Sequence, residues 1–373
     1  MKIDRIEVFY VRFMLDRVQV HELVPTQVDH GALVVKISCD DGTTGVGRTY
    51  GGSVFGSHAV KAVIEHDYAP LLMGQDPMMH GLLYAKMENF SHYHGRAGIA
   101  YAAISALDIA LWDIVGKAMG QPIYKLLGAV RDSVSVYASE GWVYLNPEEL
   151  QQAMKARIDE GYPAVKLRLP TDTKSCVRKM RMVRDAIGDG PEIMVDVQNT
   201  WENVSTSVKN TLAIREFNPF WIEEPVMVQD LDGHAKVNAQ TGVPVAGGEH
   251  IYSKHQFREA FTKGAFSYAQ PDAVRIGGFT EIQKVIGMAE SWFVPCVPHG
   301  AYEVHRHVAL AHTQAAVPYV ELLTDSEGPL LQILYKDFAF PEQGTGSVPE
   351  GAVGLGVELD EAHIREYLVK DTI

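Results

Sequence analysis

The chain has little cysteine. Three residues in 373, Cys39, Cys176 and Cys296, lie far apart and form no CxxC pair. That argues against a disulfide framework and makes a reducing cytoplasm the expected location. It also has no run of basic residues. Lys and Arg number 33 against 47 Asp and Glu, for a net charge of −14. Nucleic acid and anionic membranes are therefore excluded as expected partners. An anionic small molecule is not, because the charge inside a cleft can oppose the charge of the whole. No apolar run approaches the roughly 20 residues that a membrane span needs. The first residues, Met1-Lys-Ile-Asp-Arg-Ile-Glu-Val, alternate like a strand and carry no signal-peptide core. There is no low-complexity segment and no sequence repeat.

What is present is a well-packed chain, 46% hydrophobic and 21% charged. Its length suits a barrel plus a second domain better than one ordinary core. Residues 1 to about 56 read as antiparallel β structure. Ile3, Ile6, Val8 and Tyr10 begin one strand. Ala32-Leu-Val-Val-Lys-Ile-Ser forms another, which turns at Asp40-Asp-Gly-Thr into Thr44-Gly-Val-Gly-Arg. Between them, Asp16 to His30 reads as a polar loop, either a lid or ordinary surface. Residues 57 to 127 read as helices. The strongest runs from Ile99 to Met119, with Ala102, Ala103, Ala106, Leu107, Ala110, Leu111, Ile114 and Val115 at helical spacing and a Gly120-Gln-Pro stop. Its two aspartates, Asp108 and Asp113, read as structural partners rather than catalysts.

From Ser133 strand-like runs alternate with helical ones, as in a parallel barrel. Eight strands begin near Val134, Ala164, Glu192, Phe220, Val243, Ser267, Phe293 and Tyr319, and Asn146 is a candidate N-cap for the first helix between them. A charged residue ends most of the runs: Lys166 and Arg168, Asp196, Glu223, Glu249, Asp272, His299 and Glu321. Asp196 to His299 are separated by 27, 26, 23 and 27 residues. Barrel enzymes place their chemistry at these carboxyl ends. The expected fold is α/β, a TIM-like barrel at 128–335 with an N-terminal α+β capping domain at 1–127, and a segment 336–373 returning to the cap.

Asp196, Glu223 and Glu249 come from three consecutive strand ends. Three converging carboxylates repel one another in a partly dry site unless a hard divalent cation holds them, and oxygen-only ligands favour Mg²⁺. Glu224, the next residue after Glu223, should face away from the ion. Asp272 and His299 follow on the next two strands, where a carboxylate fixing an imidazole tautomer makes a base. Lys166 and Arg168, two apart, share a face and would hold a substrate carboxylate or stabilise developing negative charge, a role that overlaps with simple counter-charge to the acids. Glu321, kept neutral among other acids, would donate a hydrogen bond to an enolate oxygen.

Taken together, Ala106-Leu-Asp-Ile-Ala-Leu-Trp-Asp-Ile, Lys166-x-Arg168, Val195-Asp-Val-Gln-Asn-Thr-Trp, Trp221-Ile-Glu-Glu-Pro, Gly248-Glu-His, Pro271-Asp-Ala-Val-Arg-Ile-Gly-Gly and the late His299 make the whole chain resemble the enolase superfamily, and within it the mandelate racemase subgroup. The resemblance implies a (β/α)₇β barrel with an α+β cap. It implies one Mg²⁺ on Asp196, Glu223 and Glu249, and abstraction of the proton α to a carboxylate to give a metal-stabilised enediolate. It also implies a homo-oligomer, dimer or octamer. Asp272 stands where the muconate-lactonizing branch has a lysine. Two positions depart from the family pattern: Arg168 replaces the second lysine of Lys-x-Lys, and Gln198 replaces the asparagine of Asp-x-Asn. Arginine is a poor base. A racemase needs a base on each face of its substrate, whereas a β-elimination manages with His299 alone. The sequence therefore favours a dehydratase of an acid sugar over a racemase or epimerase using Lys166 as second base. A barrel that only binds a ligand is disfavoured by the intact carboxylates. Polar residues expected to contact such a substrate are His21, Glu22, Gln27 and His30 in the first loop, Arg48, Thr49 and Tyr50 in the second, with Gln198 and His250 at the strand ends. Val304-His-Arg-His is either a further contact or the start of a helix.

Overall fold

A computed structural model describes residues 1–19 and 27–370. Strands β1 (Ile3–Gln19), β2 (Gln27–Cys39) and β3 (Thr44–Gly51) form an antiparallel sheet in that order. The Asp-Gly turn joins β2 to β3: Gly42 takes φ 88° and donates its N–H to the Cys39 carbonyl at 3.0 Å. Of the expected polar loop at Asp16–His30, the described residues, 16–19 and 27–30, are strand. β1 and β2 pair at Phe13 opposite His30 and Met14 opposite Asp29, and again, after a break in register, at Gln19 opposite Gln27. Polarity misled the reading, because a ladder satisfies backbone groups whatever the side chains. Near its start β2 is covered on both faces, so Gln27, Asp29 and His30 are buried. His21 and Glu22 lie outside the described residues.

Two helices, Ser57–Ala62 and Ile99–Ala118, pack on the sheet, and a third, His80–Phe90, packs on the second of them. Ile99–Ala118 is 20 residues long and apolar enough by length and composition to cross a membrane, contrary to the reading that no run comes close; 83% of its apolar window is buried inside the protein. β3 lies directly on it. A Cβ on Gly45 would sit 2.2 Å from the Ala110 carbonyl oxygen, and one on Gly47 2.2 Å from that of Ala106. Glycine is required there for strand and helix to touch. The two aspartates of the helix are structural, as expected. Asp108 accepts from Thr280 N and Oγ1, and Asp113 accepts from the N–H groups of Val46 and Leu355 and from Lys117 Nζ.

The rest of the chain winds into a parallel barrel. Its strands are β4 (Val134–Gly141), β5 (Ala164–Arg168), β6 (Glu192–Asp196), β7 (Pro219–Glu223), β8 (Val245–Gly247), β9 (Tyr268–Ala269) and β10 (Tyr319–Leu323), and β10 pairs back onto β4. Between β9 and β10 the expected strand shrinks to a single parallel bridge, Cys296 to Ala269. Pro295 and Pro298 flank it, and proline has no N–H for a ladder. Helices intervene with evident start signals. Asn146 accepts from Glu149 N while the Glu149 carboxylate accepts from Asn146 N, a reciprocal cap of Pro147–Asp159.

Alternation along each strand sorts the side chains. Val165, Leu167, Ile193, Val195 and Ile222 pack outward in one cluster. Tyr137, Ala164, Met194, Trp221, Ala246 and Val297 fill the interior. Two residues further along the same inward faces stand Ser139, Lys166, Asp196, Glu223 and His299. The charged layer thus rests on an apolar plug.

The chain end returns to the first sheet. Leu368 bridges Val11, and Val369 donates to the Tyr10 carbonyl. Between sheet and barrel lies a buried ion network. Arg48, on β3, pairs with Glu303 at 2.5 and 3.0 Å and with Glu327 at 2.9 Å, all three fully buried. Removing one partner of such a group strands the others without water. Arg48→Met is therefore expected to lower the free energy of unfolding by about 3–5 kcal/mol in chemical denaturation. A loss below about 1 kcal/mol, the worth of a surface pair, would show that the network does not hold sheet to barrel.

Candidate active site

The charged layer is one connected cluster. Lys166 Nζ lies 2.9 Å from Glu223 Oε1, 2.7 Å from Glu321 Oε1 and 3.9 Å from Asp196 Oδ2. Arg168 Nε lies 3.6 Å from Asp196 Oδ2, and its Nη2 donates to Ser139 Oγ at 3.1 Å. His299 Nδ1 is 2.9 Å from Asp272 Oδ2, and its Nε2 is 3.1 Å from Glu249 Oε2. Strand register explains the grouping: Arg168 is opposite Asp196, which is opposite Glu223. Lys166, Arg168, Asp196, Glu223, Asp272 and Glu321 are all buried.

Burial works against the charge on Lys166, but Glu223, Glu321 and Asp196 outweigh it and raise its pKa, so it stays a cation. Burial likewise works against the imidazolium of His299; Glu249 and the bond to Asp272 outweigh it and raise the pKa to about 10. Asp272 is itself fixed. Its Oδ1 accepts from Val274 N, where the chain turns into a short helix, leaving Oδ2 for the imidazole. This dyad is the arrangement expected from the sequence. Glu321 is not. Burial favours its neutral form, but Lys166 and His299 prevail and hold its pKa down to about 2. It accepts from Gly300 N at 3.0 Å. A carboxylate beside an ammonium cannot be the neutral donor the sequence suggested.

The carboxylates exceed the cations among them. Burial pushes Glu223 upward, and Asp196, Glu321 and Glu249 add to it, against the pull of Lys166. Burial also raises Asp196 despite Lys166 and Arg168. An all-oxygen donor set carrying surplus negative charge in a dry site fits a hard divalent cation. The donors are drawn toward other partners, Glu223 to Lys166 and Glu249 to His299. Among the described residues the group whose ligating atoms all lie within 4.8 Å of one another is instead Glu224, Glu249 and His250. Glu224 does not simply face away: at φ 46° the strand breaks, and its buried carboxylate accepts from Asn199 Nδ2 and meets His250 Nδ1 at 2.9 Å.

The expected substrate contacts fare unevenly. Arg48 is corrected: it is enclosed in the Glu303–Glu327 network and reaches no cleft. Thr49 donates to the Val274 carbonyl at 2.6 Å and is buried too. Alternation puts Thr49 on the Gly47 face of β3 and Arg48 on the other, and both faces are covered, which polarity alone does not reveal. Tyr50 does reach the site, its hydroxyl 3.4 Å from His299 Nδ1. Gln198, at φ 51°, donates its backbone N–H to Asp196 Oδ1 at 2.8 Å. His250 stands at the rim, its side chain 40% exposed. His21 lies outside the described residues. His30, buried near Gln27 and Arg48, has its pKa lowered by burial to about 3 and stays neutral.

One positioning residue was not singled out. Val304-His-Arg-His is the interior of a helix, Tyr302–Leu310, and is fully buried. There His305 Nε2 accepts from Ala273 N at 2.9 Å and its Nδ1 meets the Gly300 carbonyl at 2.5 Å. It ties the residue after Asp272 to the residue after His299. Only the nearness of that motif to His299 hinted at it.

Two family profiles match: one described as enolase C-terminal domain-like over residues 149–363, the other as the N-terminal domain of mandelate racemase/muconate lactonizing enzyme over residues 5–128. The chain belongs to this family. It is 34% identical over 288 residues to L-talarate/galactarate dehydratase of Salmonella typhimurium, covering 75% of this chain and 70% of that one. It is 32% identical to D-galactonate dehydratase of Ralstonia nicotianae, covering 90% of each. Identity to D-galactarolactone cycloisomerase of Agrobacterium fabrum is 31%, over 91% and 92%. Among solved structures, a racemase from Streptomyces coelicolor with bound magnesium superposes with a TM-score of 0.90 at 29% identity, over 98% and 100% of the chains. The Salmonella dehydratase, liganded with Mg and L-lyxarohydroxamate, gives 0.90 at 28%, over 99% and 93%. The family thus includes dehydratases, cycloisomerases and racemases on one scaffold.

Burial lowers the pKa of His305, and its bonds make it a neutral Nδ1–H tautomer. Nitrogen NMR of the labelled protein is expected to show that tautomer without titration between about pH 6 and 8, where a free histidine changes charge. An Nε2–H tautomer, or a midpoint near the ordinary value, would contradict the tether.

Proposed function

We propose that the chain is a Mg²⁺-dependent hydro-lyase that converts an acid sugar to a 2-keto-3-deoxy acid. The observation that carries this reading is the asymmetry of the bases. His299, set by Asp272, is a titratable base on one side. On the other, Lys166 is clasped between Glu223 and Glu321, and Arg168 is an arginine. One base suffices for β-elimination but not for 1,1-proton transfer.

Asp196, Glu223 and Glu249 would hold the ion; they offer oxygen only, at consecutive strand ends. Glu224 and His250 form the outer support, His250 being half-exposed and a nitrogen donor that Mg²⁺ disfavours. The bound ion supplies positive charge that makes the proton α to a carboxylate more acidic. Lys166 holds that carboxylate, and Arg168 adds a fixed positive charge that burial strengthens. Drawing Glu249 to the ion would remove the charge that most favours the imidazolium; Asp272 then keeps the remaining His299 proton on Nδ1, and Nε2 takes the α-proton. The imidazolium then gives that proton to the departing β-hydroxyl as water. The remaining enol tautomerises to the keto acid. Tyr50, beside the imidazole, limits its rotation.

Two experiments test this. With Mg²⁺ and a stereochemically complete set of acid sugars and their lactones, one strong substrate yielding a 2-keto acid is expected, and His299→Asn should cost at least about 10²–10⁴-fold in kcat. Turnover of a lactone alone, or α-proton exchange with inversion and no loss of water, would move the reading to a cycloisomerase or an epimerase. In calorimetry, Asp196→Asn should abolish Mg²⁺ binding, whereas Glu224→Gln should weaken it by about 10–100-fold. The opposite pattern would place the ion on Glu224, Glu249 and His250.

A further inference from the structure

Arg168 is held by few hydrogen bonds. Its Nη2 donates to Ser139 Oγ, while Nε and Nη1 are buried with no hydrogen-bond partner, Nε standing 3.6 Å from Asp196 Oδ2. One bond leaves a guanidinium, with its five N–H donors on a long stem, free to turn. The contact that remains is the indole of Trp142. The guanidinium carbon stands 3.7 Å from the centre of its ring. Trp142 is itself buried and takes no part in the mechanism above.

The chain is built to put that ring there. β4 and β5 lose register: Ser139 pairs with Lys166, but Gly141 pairs with Leu167, so two steps along β4 match one along β5. Glu140 is the extra residue of a bulge. Carried one residue further, the same register sets Trp142 level with Arg168 and on its face of the barrel; without the bulge, alternation would turn the ring outward. Gly141 permits the close fit, since a Cβ there would sit 2.9 Å from Leu167 Cα. The ring is then fixed from several sides. Asp325 is hydrogen-bonded to Trp142. Tyr144 lies parallel to it, at 6.2 Å and 9°. Lys179, on the helix Thr173–Ile187, donates to the carbonyls of Trp142 at 3.3 Å and Val143 at 2.9 Å. Glu140, the bulged residue, is tied to Arg157 at 2.8 Å and to Thr324 Oγ1 at 3.0 Å.

We infer that Trp142 is a positioning residue of the reaction: its indole face holds the Arg168 guanidinium, and so keeps a fixed positive charge beside Asp196, where the proposed reaction builds negative charge. The inference rests on the acid-sugar reading and deepens it, by naming what makes that charge stationary. A cation over an aromatic face is stabilised most where water is scarce. A planar guanidinium also gains from the face an orientation that an ammonium does not. The stack therefore belongs with the arginine of Lys166-x-Arg168.

The test is a double-mutant cycle in the full-length, Mg²⁺-loaded enzyme, on whichever acid sugar it turns over. Trp142→Leu is expected to lower kcat by at least about 5-fold with KM changed less, because a charge held for the transition state acts on kcat. Trp142→Phe, which keeps an aromatic face, should recover most of that loss. In an Arg168→Met background the same Trp142→Leu change should cost less than about 2-fold. Equal cost in both backgrounds, or a Phe variant as slow as the Leu one, is what a merely structural role gives, and overturns the inference while the dehydratase reading stands. Nitrogen NMR relaxation of the Arg168 Nε–H reads the hold without turnover: rigid in the wild type, mobile in Trp142→Leu. An Nε–H equally rigid with and without the indole, or one already mobile in the wild type, overturns the stack, and the wild-type measurement stands even if the variant does not fold. Silence on every acid sugar overturns the acid-sugar reading instead.

Discussion

Charge gathered where water is scarce must be balanced, and this molecule is arranged around that requirement. The barrel supplies six inward or rim carboxylates, Asp196, Glu223, Glu224, Glu249, Asp272 and Glu321, against Lys166, Arg168 and whatever charge the histidines carry. Two of them are shared: Lys166 serves Glu223 and Glu321 at once, and His299 bridges Asp272 and Glu249. The surplus is what makes a divalent ion a natural resident, and it is also why the imidazole is held so strongly basic. Below this layer Trp221, Met194 and Tyr137 exclude water, so the electrostatic terms act at close to their full strength.

The capping sheet extends the same logic outward. It does not merely cover the barrel mouth. β3 sinks Arg48 into the barrel beside two glutamates and sets Tyr50 against the base. That insertion works because Gly45 and Gly47 bring the strand onto the long buried helix. His305, from the barrel side, ties the backbones that carry Asp272 and His299. Base, orienting carboxylate and cap are therefore one mechanical assembly.

Much of this was legible in the sequence, for a physical reason. Barrel strands are short, alternate with period two and end where the chemistry is, so Lys166, Asp196, Glu223, Asp272 and His299 could be placed by counting. The cap sheet's turn at Gly42 and the cap at Asn146 are local signals and were equally plain. What was not legible depends on partners far along the chain. Nothing near Arg48 announces Glu303 and Glu327, some 255 and 279 residues away. Nothing near Glu321 announces that Lys166 will keep it ionised. Gln27, Asp29 and His30 looked like loop because their polar side chains are covered by tertiary contacts that composition does not show. Glu224 departed from strict alternation through a left-handed backbone that no residue type there demands.

The stave of the barrel that carries His299 is its most weakly laddered. With Pro295 and Pro298 on either side of Cys296, it is held to its neighbours by little more than the bonds of Ala269, Val297 and Cys296, the last donating to Ala316. Such a stave has slight rigidity of its own. The base inherits its place from what leans on it: Asp272, Tyr50, Glu321 through Gly300, and the His305 tether. Drift that altered any of these would retune the imidazole without touching it, so a lineage could move from one proton-transfer outcome to another while every first-contact residue of the site stayed the same.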